Sequence, residues 1–264
     1  MNSPQAYKKS SFGPAFFFLK PKARRALANY YAFCRLADDI ADEPNRPNPR
    51  EELRQLGQEI ARVYAGNPQT PLGQALLQDV QDFRLPQDRF TLLLEGMQSD
   101  LEKKRYATFE ELDWYLYRVA VIVGKATLDI LGLAGQQADS LALALGQAVQ
   151  LTNIVRDVYD DAQLGRVYLP CTYSPQDILQ GRAPQLPTLL QQTAARAHEN
   201  YARAFTLLDR FPPAAVLPCR MMGYIYRKNL AKIEKTGFLF THAIKLNKWE
   251  KLQQVCYALL KTFF

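Results

Sequence analysis

Two short stretches of the chain concentrate residue types that handle phosphates and metal ions. The first is Tyr31-Ala-Phe-Cys-Arg35-Leu-Ala-Asp38-Asp39-Ile-Ala-Asp42-Glu43. Residues 31, 35, 38 and 42 follow one another at intervals of four, three and four, which places them on one stripe of a helix. The second is Gln150-Leu-Thr-Asn153-Ile-Val-Arg156-Asp157-Val-Tyr-Asp160-Asp161, where Asn153, Asp157 and Asp161 recur every four residues and Gln150 precedes them by three. The surrounding residues are mostly apolar or small: Phe33, Leu36 and Ile40 in the first stretch, Leu151, Ile154, Val155 and Val158 in the second. A helix that is apolar on nearly every side belongs inside a protein. A carboxylate there needs a cation or hydrogen-bond donors. Both stripes are therefore expected to face a polar cavity.

If the two helices face each other, Asp38, Asp42, Asp157 and Asp161 surround one space. Such hard oxygen ligands suit Mg²⁺, which keeps waters and binds through a few carboxylates together with substrate phosphates. The chemistry this predicts is loss of a diphosphate, with the metal offsetting repulsion and stabilising the departing anion. Arg35 and Arg156 add fixed positive charge and forked donors for phosphate oxygens. A lone Asp-x-x-x-Asp on a helix is usually a solvated face paired with Lys or Arg. Two such stripes on two apolar helices, each beside an arginine, fit that description poorly.

The elements that must hold these stripes are helical. Apolar residues recur with helical periodicity, and hairpin turn signals are scarce. Helices are expected near 15–43, 51–65, 71–83, 87–103, 109–133, 138–163, 186–210, 213–236 and 248–262. Pro44, Pro47 and Pro49 end the first, and Pro170, Pro175, Pro184 and Pro187 mark a loop-rich stretch after the second acidic motif. No low-complexity linker and no fixed repeat divides the chain, so residues 1–264 are expected to form one all-α domain.

The 264 residues carry 33 Lys and Arg against 26 Asp and Glu, a net charge of +7. A basic surface favours anionic partners. The basic residues come in scattered short clusters, mostly expected to be solvated surface, and no zinc-finger or RNA-binding signature accompanies them, so nucleic acid is not the expected partner. The four cysteines, Cys34, Cys171, Cys219 and Cys256, stand alone beside only two histidines, which argues against a Cys/His zinc site. Lone cysteines suit a reducing compartment. The N-terminus lacks a signal-peptide core, and no run reaches the ~20 apolar residues of a membrane span. The expected location is cytoplasmic, either free or peripheral at the inner face of the membrane.

The motifs resemble those of the squalene/phytoene synthase family, the head-to-head prenyl diphosphate synthases. The family's YAxCRxxDDxxD is similar to YAFCRLADDIAD at 31–42. Its QxxNxxRDxxxD and GRxYLP are similar to QLTNIVRDVYDD at 150–161 and GRVYLP at 165–170. Ser10-Ser11-Phe12 resembles the N-terminal SF element, and GMQSDLEKKRYATFEELDWYLYRVAVIVG at 96–124 resembles the central GMxxDL…YxxxVAxxVG segment. The likeness runs from about residue 6 to about 250. It implies an isoprenoid-synthase-type helical bundle with a central cavity.

It also implies roles. Asp38, Asp42, Asp157 and Asp161 would hold Mg²⁺ and diphosphate, with Asn153 assisting the second metal cluster. Arg35, Arg156, Arg166 and Tyr168 would contact diphosphate. Ser11, Phe12, Tyr31, Tyr115 and Gln150 would line the reaction centre. Gly124, costly inside a helix, would make a kink or room for a prenyl tail, or else close helix packing. Phe16, Phe17, Phe18 and Tyr117 are further aromatic candidates for stabilising a cation. Two departures from the family pattern bear on the site. Val121 stands where the family often has Gly, and Ala243 falls in a C-terminal run (Thr241 to Leu246) that lacks an expected arginine, leaving Lys245 as its nearest substitute.

The implied reaction joins two farnesyl diphosphates into presqualene diphosphate, judged by DAxxGRxYLP at 161–170. The neighbouring readings are squalene or dehydrosqualene synthase, and phytoene synthase acting on geranylgeranyl diphosphate. NADPH is not expected, although family members that use it also lack a Rossmann motif, so its absence here decides little. Some relatives serve as non-catalytic assembly proteins, but all four aspartate positions are filled here. A head-to-tail prenyltransferase or terpene cyclase also uses helical aspartates, but in DDxxD or NSE contexts that fit less well.

Overall fold

The computed structural model describes residues 18–43, 46–102 and 105–263. These fold into α-helices α1 (Pro21–Asp42), α2 (Pro49–Tyr64), α3 (Pro71–Phe83), α4 (Asp88–Glu102), α5 (Phe109–Leu116), α6 (Ile122–Ile130), α7 (Gln136–Gln163), α8 (Pro175–Leu179), α9 (Leu186–Leu208), α10 (Pro213–Glu234) and α11 (Lys248–Phe263). The β structure among the described residues is a single parallel bridge between Arg105 and Val167. Helix starts follow local chemistry. Proline, which needs no partner for its nitrogen, occupies the first turn of α1, α2 and α3. The Thr70 hydroxyl caps α3 by accepting from the Gly73 N–H at 3.0 Å.

The helices gather around two apolar cores. One is built from α1 to α4 around Tyr30, Phe33 and Phe90, whose rings meet edge to face. The other surrounds α7, which packs against α5, α6, α8, α9 and α10. Helix α6 serves both. Its Ile122, Ala126 and Ile130 enter the first core, and Leu128 enters the second.

The expected helix over 109–133 is interrupted. Between α5 and α6, residues Tyr117–Val121 form one wider π turn. The cause is tertiary. This segment is squeezed between α4 and α7 at two glycines. A Cβ on Gly96 would lie 2.6 Å from Val119 Cγ1, and one on Gly146 would lie 2.9 Å from the Val121 Cα. The wider turn sets the Val119 side chain into the Gly96 notch and the Val121 backbone into the Gly146 notch, at a place where π-bulges commonly mark a functional constraint. Val121 itself is fully buried, so the space for it is made by Gly146. The short helix α8 fell within the stretch expected to be loop. The Ser174 hydroxyl and the Asp177 carboxylate close it as a capping box. Pro218 lies inside α10 without ending it.

Candidate active site

Helix α1 buries Ala26, Leu27, Tyr30, Phe33, Ala37 and Ile40. Its acidic stripe lies beside that face rather than inside it. Asp38 and Asp42 keep about two-fifths of their side-chain exposure, at 41% and 40%. Tyr31 is half-buried. Arg35 is more exposed still and turns back along its own helix, meeting Asp38 at 3.0 Å and Asp39 at 2.7 Å. The first stripe, expected to face a polar cavity, thus stands at the edge of the apolar face rather than within it. Ala32, Phe33, Ala37 and Ile40 suffice to anchor the helix, and the polar stripe is left facing an open recess.

On α7 the corresponding residues lie deeper. Asp157 and Arg156 retain 23% and 17% exposure and pair with each other, Arg156 Nε donating to Asp157 at 2.8 Å. Asn153 donates to the Gln150 side chain at 3.0 Å. The Asn153 carbonyl oxygen is buried and has no hydrogen-bond partner. Such an orphan acceptor is costly unless a donor or a cation reaches it.

The end of α7 decides how the two helices communicate. Gly165 adopts φ +79°, and its N–H bonds to the Ala162 carbonyl while the Arg166 N–H bonds to the Asp161 carbonyl at 2.9 Å. This is a Schellman stop, in which glycine supplies the left-handed residue. It turns the chain so that Arg166 points at the last turn of α1. There the guanidinium donates to the Asp42 carboxylate and, at 2.8 Å, to the Ala41 carbonyl. The Gly-Arg of the GRVYLP segment is therefore a strap between the acidic ends of α1 and α7.

Two further members of the site were not singled out in the sequence. Asp100 is buried on α4 and accepts from the hydroxyls of Tyr115 at 3.0 Å and Tyr168 at 2.8 Å. The Tyr106, Tyr115 and Tyr168 rings cluster, Tyr115 and Tyr168 stacking with centroids 4.9 Å apart. The Arg105–Val167 bridge brings these two segments side by side. Asp100 did leave a signal. It is in helical register with the apolar Leu93 and Met97, so it had to point inward.

The electrostatics link these groups to one another. Burial, then the neighbouring Asp42, pushes Asp38 up to about 7. That side chain touches water on one side yet is crowded by protein on the others, as a group in a recess is. Burial, then Asp157, drives Asp161 well above the usual carboxylate range, with Asp42 and Asp100 adding to it and Arg166 opposing it. Asp100 rises to about 6 through burial, held back by Arg166 and the two tyrosine hydroxyls. Carboxylates from α1, α4 and α7 thus feel one another across a single space.

The fit to a divalent metal can be judged from these donors. Among the described residues, no three Asp, Glu, His or Cys side chains are close enough to hold an ion as a ready cage. The donor set nevertheless suits a hard cation: four carboxylates, two with raised proton affinity, and the orphan oxygen of Asn153. A cation that brings phosphate oxygens with it needs only one or two carboxylates from each helix.

Other expectations fall elsewhere. Ser11, Phe12, Phe16 and Phe17 lie outside the described residues. Gly124 sits where α6 crosses α7, and a Cβ there would come within 3.4 Å of the Ala142 backbone, which favours the close-packing reading. An open cavity of about 1390 Å³ between α1, α2 and α3 is lined by Leu36, Ile40, Leu56 and Leu72, and it reaches the candidate site only at Arg35 and Asp42. Its size therefore does not locate the chemistry, which the converging polar groups do.

Known proteins resemble the chain along most of its length. Residues 6–250 match the squalene/phytoene synthase family. The chain is 34% identical over 254 residues to a presqualene diphosphate synthase of Rhodopseudomonas palustris, covering 92% of this chain and 90% of that protein. It is 33% identical over 257 residues to phytoene synthase 1 of Solanum lycopersicum, covering 92% of this chain and 62% of the other. A solved dehydrosqualene synthase in complex with ligand superposes with a TM-score of 0.83 at 30% identity, covering 98% of this chain and 95% of that one. Members of the family are prenyltransferases that join prenyl diphosphates head to head and are generally dependent on divalent metal. By sequence along nearly its whole length and by its all-helical isoprenoid-synthase fold, the chain belongs to the squalene/phytoene synthase family and is an enzyme of the prenyltransferase type.

Proposed function

We propose that residues 1–264 act as one catalytic unit that condenses two farnesyl diphosphates into presqualene diphosphate, with Mg²⁺ at the α1 and α7 aspartates. The observation that carries this is the convergence of Asp38, Asp42, Asp157 and Asp161 around the Arg166 strap, beside a buried tyrosine cluster. The DAQLGRVYLP segment and the likeness to the Rhodopseudomonas protein support the choice of product.

Mg²⁺, when bound, supplies the positive charge that offsets carboxylate–diphosphate repulsion and stabilises the leaving diphosphate. The chain does the rest. Arg35, Arg156 and Arg166 exchange their present carboxylate partners for diphosphate oxygens and hold the leaving group. The allylic carbon–oxygen bond of one substrate breaks, its electron pair leaving with the diphosphate. The double bond of the second substrate attacks the resulting allyl cation. Loss of a proton closes the cyclopropane, and the second diphosphate is retained. Tyr115 and Tyr168 offer stacked π faces to the cation. Their hydroxyls are tied to Asp100, so the rings are held rather than free to turn.

The test is product analysis. The chain is incubated with farnesyl or geranylgeranyl diphosphate, with and without NADPH and EDTA, and the lipid is identified by mass spectrometry. Presqualene diphosphate from the C15 substrate, without NADPH and abolished by EDTA until Mg²⁺ is restored, is expected. Phytoene from the C20 substrate would replace this reading with the one that the tomato relative suggests. Squalene or dehydrosqualene would also replace it, and no product from either substrate would favour the non-catalytic reading.

A further inference from the structure

Ten large apolar side chains are exposed among the described residues, and five of them lie in the 16-residue helix α11: Trp249, Leu252, Tyr257, Leu260 and Phe263. Trp249, Leu252, Leu260 and Phe263 are spaced so that, with the exposed Cys256 between them, they form one continuous outward stripe at intervals of three, four, four and three. Their exposures are 75% for Trp249, 49% for Leu252, 57% for Leu260 and 54% for Phe263. The inward face is anchored separately by Val255 and Ala258. The helix thus has an apolar face toward the protein and a second one toward solvent, and burial in the fold accounts only for the first.

The surroundings of the stripe carry charge of one sign. Lys228, Lys245 and Lys248 are exposed at the N-terminal end of α11, while Lys251 shares the helical register of the buried Val255 and Ala258. Lys232 Nζ donates to the Lys245 carbonyl at 3.3 Å and to Glu250 at 2.8 Å, and Lys228 raises the local positive field at Glu250. Glu250 is committed inward, also accepting from the Asn247 N–H at 2.7 Å. Lys248 and Lys261 are exposed to either side of the stripe.

We infer that α11 is a docking surface for an anionic lipid bilayer, lying in the plane of the headgroups with Trp249, Leu252, Leu260 and Phe263 inserted and the lysine cluster on the lipid charges. An apolar stripe with a tryptophan and flanking lysines is the pattern of interfacial helices. A second copy of the chain fits less well. Sixteen residues span about 24 Å, and a stripe one side chain wide along them offers roughly 250 Å², well below the ~800 Å² per partner of a stable interface. The exposed lysines would also face the partner's own.

Flotation of the full chain with vesicles decides the matter. Recovery with vesicles of equal parts phosphatidylcholine and phosphatidylglycerol is expected, at least about tenfold above phosphatidylcholine alone and weakened by high salt. The triple variant Trp249→Gln, Leu260→Gln, Phe263→Gln is expected to lose about tenfold in vesicle binding with an unchanged circular-dichroism melt. A parent chain that ignores both vesicles overturns the inference, as does a triple variant that binds like the parent. A parent that self-associates without binding vesicles, and a variant that does not, would assign the stripe to a second copy instead. Should the triple variant misfold, Trp114→Phe leaves Trp249 as the single tryptophan. Its fluorescence should shift to the blue and be quenched by brominated acyl chains, and absence of quenching overturns the inference.

Discussion

The two aspartate helices border one candidate site but are built differently. In α1 the acidic stripe runs along the edge of an apolar helix, with Asp38 and Asp42 two-fifths exposed and Arg35 turned back onto its own helix. In α7 the stripe is embedded in the second core, Arg156 and Asp157 pair in partial burial, and Asn153 keeps an unmatched oxygen. Arg166 connects them, belonging to the chain after α7 but bonded to the end of α1. One wall of the site is therefore set deep in the second core, and the other is anchored by its apolar face in the first core and tied across by a single guanidinium. Asp161, crowded by Asp157 on the deeper wall, is costly to the fold, whereas Asp157 and Asp42 are each partly repaid by an arginine.

This contrast is broken most forcefully by neutralising the aspartates one at a time. Asp38→Asn, Asp42→Asn, Asp157→Asn and Asp161→Asn are each expected to lower turnover of farnesyl diphosphate by about a thousandfold. Their stabilities should diverge. Asp161→Asn replaces a carboxyl whose ionised form is already disfavoured by burial and Asp157, so its metal-free melting temperature rises. Asp42→Asn deprives Arg166 of its partner, so its melting temperature falls. Thermal melts in EDTA beside product assays check both halves, and near-normal turnover in any of the four would remove that aspartate from the site.

Arg166→Ala comes next. It cuts the strap and leaves α1 held by its apolar face alone. Activity should fall by about a hundredfold. Stability should fall by about 1–2 kcal/mol, modest because the Asp42 side is partly solvated. Arg166→Lys restores the charge without the fork that reaches both Asp42 and the Ala41 carbonyl, so it should recover stability better than turnover. Equal recovery of both would show that charge alone suffices.

The smallest effect is one of pH. Asp38 holds its proton up to about 7 in the folded chain, whereas an unfolded aspartate releases it near 4. Its raised folded value gives a stabilising contribution that is full below the unfolded pKa and is lost as pH rises through the folded one. In EDTA, the parent should therefore lose stability relative to Asp38→Asn between pH 5 and pH 8. Parallel melting curves for the two chains across that range would show that the recess does not hold the proton.

Much of this was legible because helices write their faces into the sequence at short range. The stripes 31–35–38–42 and 150–153–157–161 could be read from spacing, and the proline breaks located most helix starts within a few residues. Asp100 was harder. It has no acidic neighbour on its own stripe, and it becomes part of the site only because Tyr115 and Tyr168 arrive from other segments. The π turn at 117–121 was also hidden, since nothing in Tyr-Arg-Val-Ala-Val announces it. Its cause lies in Gly96 and Gly146, one on each neighbouring helix.

The sequence by itself determined an all-helical chain, two polar stripes in apolar helices, and the residue types that suit a metal and a diphosphate. Those properties follow from periodicity and side-chain chemistry, which act within a few residues. Only the tertiary structure decided that α1 presents its aspartates at an open edge while α7 holds its own deeper, in partial burial. It also decided that Gly165 turns Arg166 across to Asp42, and that Asp100 anchors the stacked tyrosines. These depend on which surfaces are pressed together over separations of up to 125 residues, and packing of that kind leaves no period in the chain.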